Sequence, residues 1–218
     1  MEIVIPRIED SALALGSIRL DDGAELAVHE PDLDSLLFSV TGSGVLSLDG
    51  AATRFERRSA ALVLAGEEAT LVAGGGGLEL IRATVGPSAD RHAPLGPREV
   101  VVGLDGASSE QATGSRSFQI LFGPHNGSTR ATLFAGYLPP GRAPWHYHLY
   151  DEIVWVPEGP GMLHRVGSEK ALGADSAFRL RPHEVHIVEN ASPDRELTVM
   201  GVFTPAGSPS AAYLAPAQ

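Results

Sequence analysis

Short apolar runs, cut at close intervals by turn residues, constrain this chain more than any other feature. In the first half they fall at residues 36–40, 45–48, 60–64 and 78–85; in the second at 118–122, 132–138, 153–156, 162–166, 177–180 and 197–203. Gly, Pro, Asn or Asp interrupts each run, the pattern of many short strands in a barrel or sandwich. No stretch sustains a long helical period. The chain is therefore expected to be all-β. The glycines at 74–77 are read as a turn; without a following Gly-Lys-Ser/Thr they do not form a phosphate loop.

The 218 residues suffice for two barrels of about a hundred residues, each with a core. Hydrophobic residues at 43% and charged residues at 20% suit a soluble globular protein. No run approaches the roughly 18 apolar residues of a membrane helix, and the first ten residues lack the basic head and apolar middle of a secretory signal. No membrane association and a cytoplasmic location are the expectations. Zero cysteines removes disulfides, zinc thiolates and thiol nucleophiles. The net charge of −11, 16 Lys+Arg against 27 Asp+Glu, opposes phosphate backbones, so no nucleic-acid partner is expected.

The chemistry concentrates in one segment. His146, His148 and Glu152 are followed by His186, and imidazoles with a carboxylate suit a divalent first-row metal. On a strand, residues two apart share a face, so His146 and His148 project together. A His-x-His pair alone also fits a hydrogen-bonded pair without metal; Glu152 and His186 tilt the reading towards metal. Donors that leave coordination positions open describe a working site rather than a structural plug.

These residues resemble the cupin family. Its first motif, Gly, a gap, His-x-His, Glu, then Gly, is matched by Gly141, His146, His148, Glu152 and Gly159, with the first gap one residue short. Its second motif is matched by Gly173, Pro182, His186 and Asn190, with His183 where Gly is usual. The resemblance implies a double-stranded β-helix (jelly-roll) barrel holding one divalent transition metal (Fe, Mn, Ni, Zn or Cu) on His146, His148, Glu152 and His186.

An internal repeat extends the reading. A shift of 117 residues carries Gly159 onto Gly42, Gly161 onto Gly44, and the run at 153–156 onto 36–39. The same shift turns the four ligands into His29, Pro31, Ser35 and Ala69, of which only His29 is a good donor. The chain is thus expected to be a bicupin of two tandem barrels, the first degenerate and without metal. The expected boundaries are 1–88 for the first barrel, 89–115 for a connection, 116–205 for the metal-binding barrel and 206–218 for a tail. Residues 99–102 within the connection could add a strand to one barrel. The tail is expected to run over a surface or a neighbouring subunit, anchored by Tyr213 and Leu214, and a homodimer is the assembly considered.

Strand parity sorts the neighbours. Val154 and Val156 share the inward face of Glu152, with Ile153 and Trp155 on the opposite face. If parity resumes beyond 159–161, Met162 and His164 point inward and Arg165 outward. His164 is then a candidate for an acid/base role beside Glu152, against the alternative of an exposed edge. Tyr150 is a candidate for the cavity entrance, His183 for the rim, and His125 for a turn. Trp145 and Tyr147 should pack away from the metal.

The resemblance implies a small-molecule substrate and leaves the reaction open, since cupins with this ligand set include dioxygenases, decarboxylases, isomerases, hydrolases and lyases. An apolar lining (Val154, Val156, Met162, Val188) with few fixed cations disfavours a small dicarboxylate and favours an uncharged or aromatic substrate. A dioxygenase resembling the quercetinase type is the leading expectation. A non-redox isomerase, lyase, hydrolase or condensing enzyme, and a non-catalytic binding barrel, are the alternatives.

Overall fold

The structure, a computed structural model, describes residues 3–7, 11–112 and 115–215. In its first half the strands are β1 (Val4–Ile5), β2 (Leu13–Leu20), β3 (Glu25–His29), β4 (Asp34–Leu48), β5 (Ala51–Phe55), β6 (Ser59–Val63), β7 (Glu68–Val85) and β8 (Val101–Gly103). The second half carries β9 (Ser109–Gln111), β10 (Ser117–Phe122), β11 (Thr132–Leu138), β12 (His146–Tyr147), β13 (Asp151–Val156) and β14 (Gly161–Arg165). It continues with β15 (Ser168–Leu172), β16 (Ser176–Leu180), β17 (His186–Asn190), β18 (Leu197–Thr204) and β19 (Tyr213–Leu214). The fold is all-β, as expected. Among the described residues no helix is long and apolar enough to cross a membrane.

One eight-stranded sheet, ordered β1-β2-β7-β4-β6-β8 with β3 on β7 and β5 on β4, builds the first barrel. The second barrel uses two sheets, β16-β13-β18-β11-β10-β9 and β15-β14-β17-β12-β19. The long strands β4 and β7 do in one piece what β13 with β14, and β17 with β18, do in two. Their ladder breaks twice, between Ser39 and Thr41 and between Gly42 and Gly44. The sequence runs at 36–40 and 45–48 are therefore one bent strand. The glycines at 74–77 do not end a strand either: they form the corner within β7 where that ladder is interrupted, with Gly76 and Gly77 at φ 92° and 80°.

The offset of 117 residues holds strand by strand. It relates β5 to β15 and β6 to β16 at both ends. Registers repeat as well: Ser35 opposite Val63 recurs as Glu152 opposite Leu180, and Leu48 opposite Ala69 as Arg165 opposite His186. The equivalent glycines serve the same need. A Cβ on Gly42 would sit 2.0 Å from the Gly77 carbonyl oxygen, and one on Gly159 would sit 2.6 Å from that of Leu172.

Alternation on β4 and β13 places the core in layers. Leu36 and Phe38, with Ile153 and Trp155, face a hydrophobic core shared by the two barrels, together with Leu13, Leu133 and Val202. Two buried aspartates 117 residues apart tie the barrels reciprocally. Asp34 accepts a hydrogen bond from Arg130 of the second barrel at 3.2 Å. Asp151 accepts one from Arg179 at 2.8 Å, and Arg179 also donates to the Pro6 and Leu13 carbonyls of the first barrel. The connecting segment is shared: β8 pairs with β6 and β9 with β10.

Candidate metal centre

Pairing of β12 with β17 sets His146 directly opposite His186. Two residues on, His148 shares that face, and the three imidazoles present ligand atoms that all lie within 4.8 Å of one another. Each ring is held through Nδ1 by a backbone carbonyl: His146 by Pro144 at 2.9 Å, His186 by Glu184 at 2.8 Å, and His148 by Ala211 at 3.5 Å. An Nδ1–H donated in this way leaves Nε2 as a bare lone pair, the form a metal takes. Burial keeps the rings neutral. It lowers the pKa of His186 to about 3 and of His148 to about 4, and that of His146 in the same direction, with mutual repulsion adding to the first two.

Glu152, on β13, enters from the facing sheet. Its Oε2 stands 3.7 Å from His148 Nε2, and burial pushes its carboxyl up to about 8. Gly201 makes room for it: a Cβ there would lie 3.0 Å from Glu152 Oε1 and 2.2 Å from the Phe134 ring. Three neutral imidazoles and one buried carboxylate form a donor set that fits a divalent transition metal. Asn190, the last motif residue, is engaged with the backbone. It donates to the Leu138 and Arg195 carbonyls and accepts from the Ser192 N–H, closing the end of β17.

The four side chains open on a cavity of ≈ 100 Å³, walled largely by carbon from Phe118, Phe134, Leu138, Val154 and Val188. Tyr150, the candidate for the entrance, is among its lining, stacked between His148 (ring centroids 4.5 Å apart) and Phe203 (4.0 Å), with its hydroxyl donating to the Pro209 carbonyl. The tail covers the site of its own chain. Pro209 lines the cavity, Ala211 holds His148, and β19 pairs with β12.

Several expectations need correction. His164 does not face the cavity. In the β14–β17 ladder Leu163 lies opposite Val188 and Arg165 opposite His186, so the odd-numbered positions of β14 face inward. Parity did not carry through the Gly159 to Gly161 turn. His164 and Met162 therefore share the outer face, where the His164 ring lies between Glu189 at 2.6 Å and Glu169 at 2.8 Å, with Arg142 alongside. Arg165, expected outside, bonds Glu184 instead. Val156 and Met162 are not among the lining residues, while Arg116 is. The lining thus includes a guanidinium, whose pKa burial lowers. Arg116 lies in a polar connection with no periodic signal, so nothing local in the sequence announced it. His183 takes a left-handed backbone, φ 64°, where the motif has Gly; its ring lies against Tyr147 at the rim.

Comparison with known proteins agrees with this geometry. The family model of the cupin domain matches residues 134–203, a segment that includes His146, His148, Glu152 and His186. No curated protein sequence matches the chain. Among solved structures, a point variant of Bacillus subtilis oxalate decarboxylase is similar with a TM-score of 0.77 at 14% identity, over 98% of this chain and 74% of that one. AerE from Microcystis aeruginosa is similar with a TM-score of 0.74 at 12% identity, over 93% and 96%. A formate complex of Lactobacillus farciminis oxalate decarboxylase gives 0.76 at 13%, over 94% and 80%. At these identities the likeness is one of fold.

Proposed function

We propose that this chain is a metal-dependent enzyme acting on a small, carboxylate-bearing organic molecule in its second barrel. The observation that carries the reading is the convergence of His146, His148 and His186 beside Glu152 in an apolar cavity that also holds Arg116. We assign all four donors to one divalent metal, with Glu152 as the fourth ligand. The first barrel is read as a second cupin that has lost its donors, making the chain a degenerate bicupin.

When bound, such a metal polarises a coordinated oxygen or activates it for electron transfer. The chain's own residues do the rest. Pro144, Glu184 and Ala211 carbonyls orient the rings, and the carbon walls exclude water. Glu152 is the carboxylate positioned to take or return a proton at a substrate atom beside the metal. Arg116 faces the same space and suits a substrate carboxylate through charge-assisted hydrogen bonds. A cavity of ≈ 100 Å³ fits a few-carbon acid better than a flavonol-sized ring system. The name of the oxalate decarboxylases similar in fold belongs to that substrate class.

The oxidative reading, a dioxygenase resembling the quercetinase type, is supported by the largely apolar lining around the histidines. Turnover of a panel of small 2-oxo and dicarboxylic acids by the metal-loaded chain, followed in an oxygen electrode and under anaerobic conditions, separates the two. Anaerobic turnover with Arg116→Gln raising KM about 10- to 100-fold supports the carboxylate reading. Oxygen uptake with uncharged enolic substrates, indifferent to Arg116→Gln, supports the oxidative one. Absence of turnover with every metal and substrate would leave a binding barrel.

A further inference from the structure

A second cavity, of ≈ 450 Å³, opens at the edge of the face between the barrels. Its floor is apolar: the Phe38 and Trp155 rings, with centroids 6.5 Å apart, and Met200. We propose that this cleft is a ligand site separate from the metal cavity, taking a small zwitterion with an apolar body, of the chemistry of an apolar or aromatic α-amino acid.

Charges of both signs line the cleft without neutralising one another. Arg57 and Arg195 stand among its walls with Glu158, Asp175 and Glu196, and among the described residues no ion pair joins the two sets. Among the described residues Arg57 donates only to the Val40 carbonyl, at 3.3 Å, and the Arg195 guanidinium has no protein acceptor. Arg58, also in the wall, is already answered by Asp105 at 3.5 Å. Opposite charges that share a cleft but do not meet are suited to a molecule bearing both, with its hydrocarbon on the aromatic floor.

Trp155 makes the cleft continuous with the core: it is 2% exposed and borders both the cleft and a void of ≈ 10 Å³ walled by apolar side chains. The occupant would also touch the back of the metal cavity's wall, because Val154 and Val199 line that cavity while their neighbours Trp155 and Met200 line the cleft.

The tryptophan makes the test direct. The chain has two, so Trp145→Phe leaves Trp155 as the sole tryptophan, excited apart from the tyrosines at the red edge of absorption. In this full-length background, metal-loaded, L-phenylalanine, L-leucine and L-methionine are titrated against Trp155 emission, with 3-phenylpropanoate and phenethylamine as single-charge controls. At least one amino acid should shift the emission saturably, with both controls about tenfold weaker or more. Arg57→Ala with Arg195→Ala should weaken binding by a similar factor while metal content stays at the parent level; Glu158→Gln with Asp175→Asn gives the same test from the acidic side. No saturable change with any of the three amino acids, equal binding of 3-phenylpropanoate, or indifference to both double substitutions would overturn the proposal.

Discussion

The two barrels follow one register and fill it differently. Where the second places Glu152, opposite Leu180, the first places Ser35, opposite Val63. Where the second has His186, the first has Ala69, and the place of His148 falls to Pro31. The remaining imidazole, His29, is exposed, with its ring against the Glu67 carbonyl at 3.1 Å. The first barrel encloses Val28, Leu37, Leu46, Phe55 and Leu71, all fully buried. Near its mouth the Arg82 guanidinium donates twice to Ser35, at 2.9 and 3.2 Å, and pairs with Glu30 at 2.8 Å. Strand order and the 117-residue offset build the container, and a handful of inward positions decide whether it is packed or hollow. The two barrels are joined through the shared core, the Asp34–Arg130 contact and the bonds from Arg179 to the Pro6 and Leu13 carbonyls.

The sharpest way to break this contrast is a pair of substitutions 113 residues apart. His148→Ala should abolish metal retention and turnover, a loss larger than the roughly 10- to 100-fold that removing an outer hydrogen-bond partner costs. Ser35→Ala should leave metal content unchanged. Elemental analysis of the two variants checks both, and metal lost with Ser35 would contradict the division of roles.

Next in size is the tail. Deleting residues from 209 onward removes the acceptor of His148 Nδ1, the β19 partner of β12 and one wall of the cavity. Metal affinity should fall about 10- to 100-fold with the barrel still folded. Competition against a chelator, with circular dichroism to confirm the fold, measures it. The first barrel gives up no metal donor on such a cut.

Gly201→Ala tests how tightly the hollow barrel is fitted. The added methyl meets the Phe134 ring and Glu152, so stability should drop by about 1–3 kcal/mol and metal occupancy with it. Gly50→Ala in the first barrel meets no neighbouring atom within 4 Å, and its cost should come from its backbone alone, at φ 79°. Urea melts of the two variants compare them.

The smallest effect is on pH dependence, and it belongs to the second barrel alone. In the metal-free chain His186 titrates at about 3 and His148 at about 4, whereas unfolding returns them to 6.5. Below that value the unfolded chain takes up protons that the folded chain refuses, so stability falls as pH drops from about 6.5 towards 4. Glu152 acts on the other side. Folded, it keeps its proton up to about 8, while unfolded it has lost it above 4.5, so its contribution falls as pH rises from about 4.5 to 8, outweighed by the two histidines below about 6.5. Each proton of difference changes stability by about 1.4 kcal/mol per pH unit. Thermal melts of metal-free protein should therefore peak near pH 6.5, and bound metal should flatten the alkaline limb.

Much of this was legible in the sequence because it is local. His146 and His148 share a strand face by spacing alone, the runs at 132–138 and 197–203 fall within β11 and β18, and the repeat offset predicts β4 to β6 from their counterparts. What could not be read depends on contacts distant along the chain. β5 and β15 are edge strands whose exposed faces carry no apolar pattern. Arg116 reaches the cavity only because β10 lies against β11 and β9 against β10. The tail's place over His148 is set by pairing far along the chain, His146 with Leu214 and Tyr147 with Tyr213. His164 shows the limit of parity arguments, since a turn of glycines and proline carries no memory of which face the chain left.

A crystal of the full chain grown with manganese, with anomalous difference maps collected at the metal edge, addresses the central claim most directly. One peak per chain is expected, bounded by His146, His148, His186 and Glu152, with none near Ser35 and Arg82. A peak inside the first barrel, or an empty second barrel in metal-replete crystals, would contradict the account.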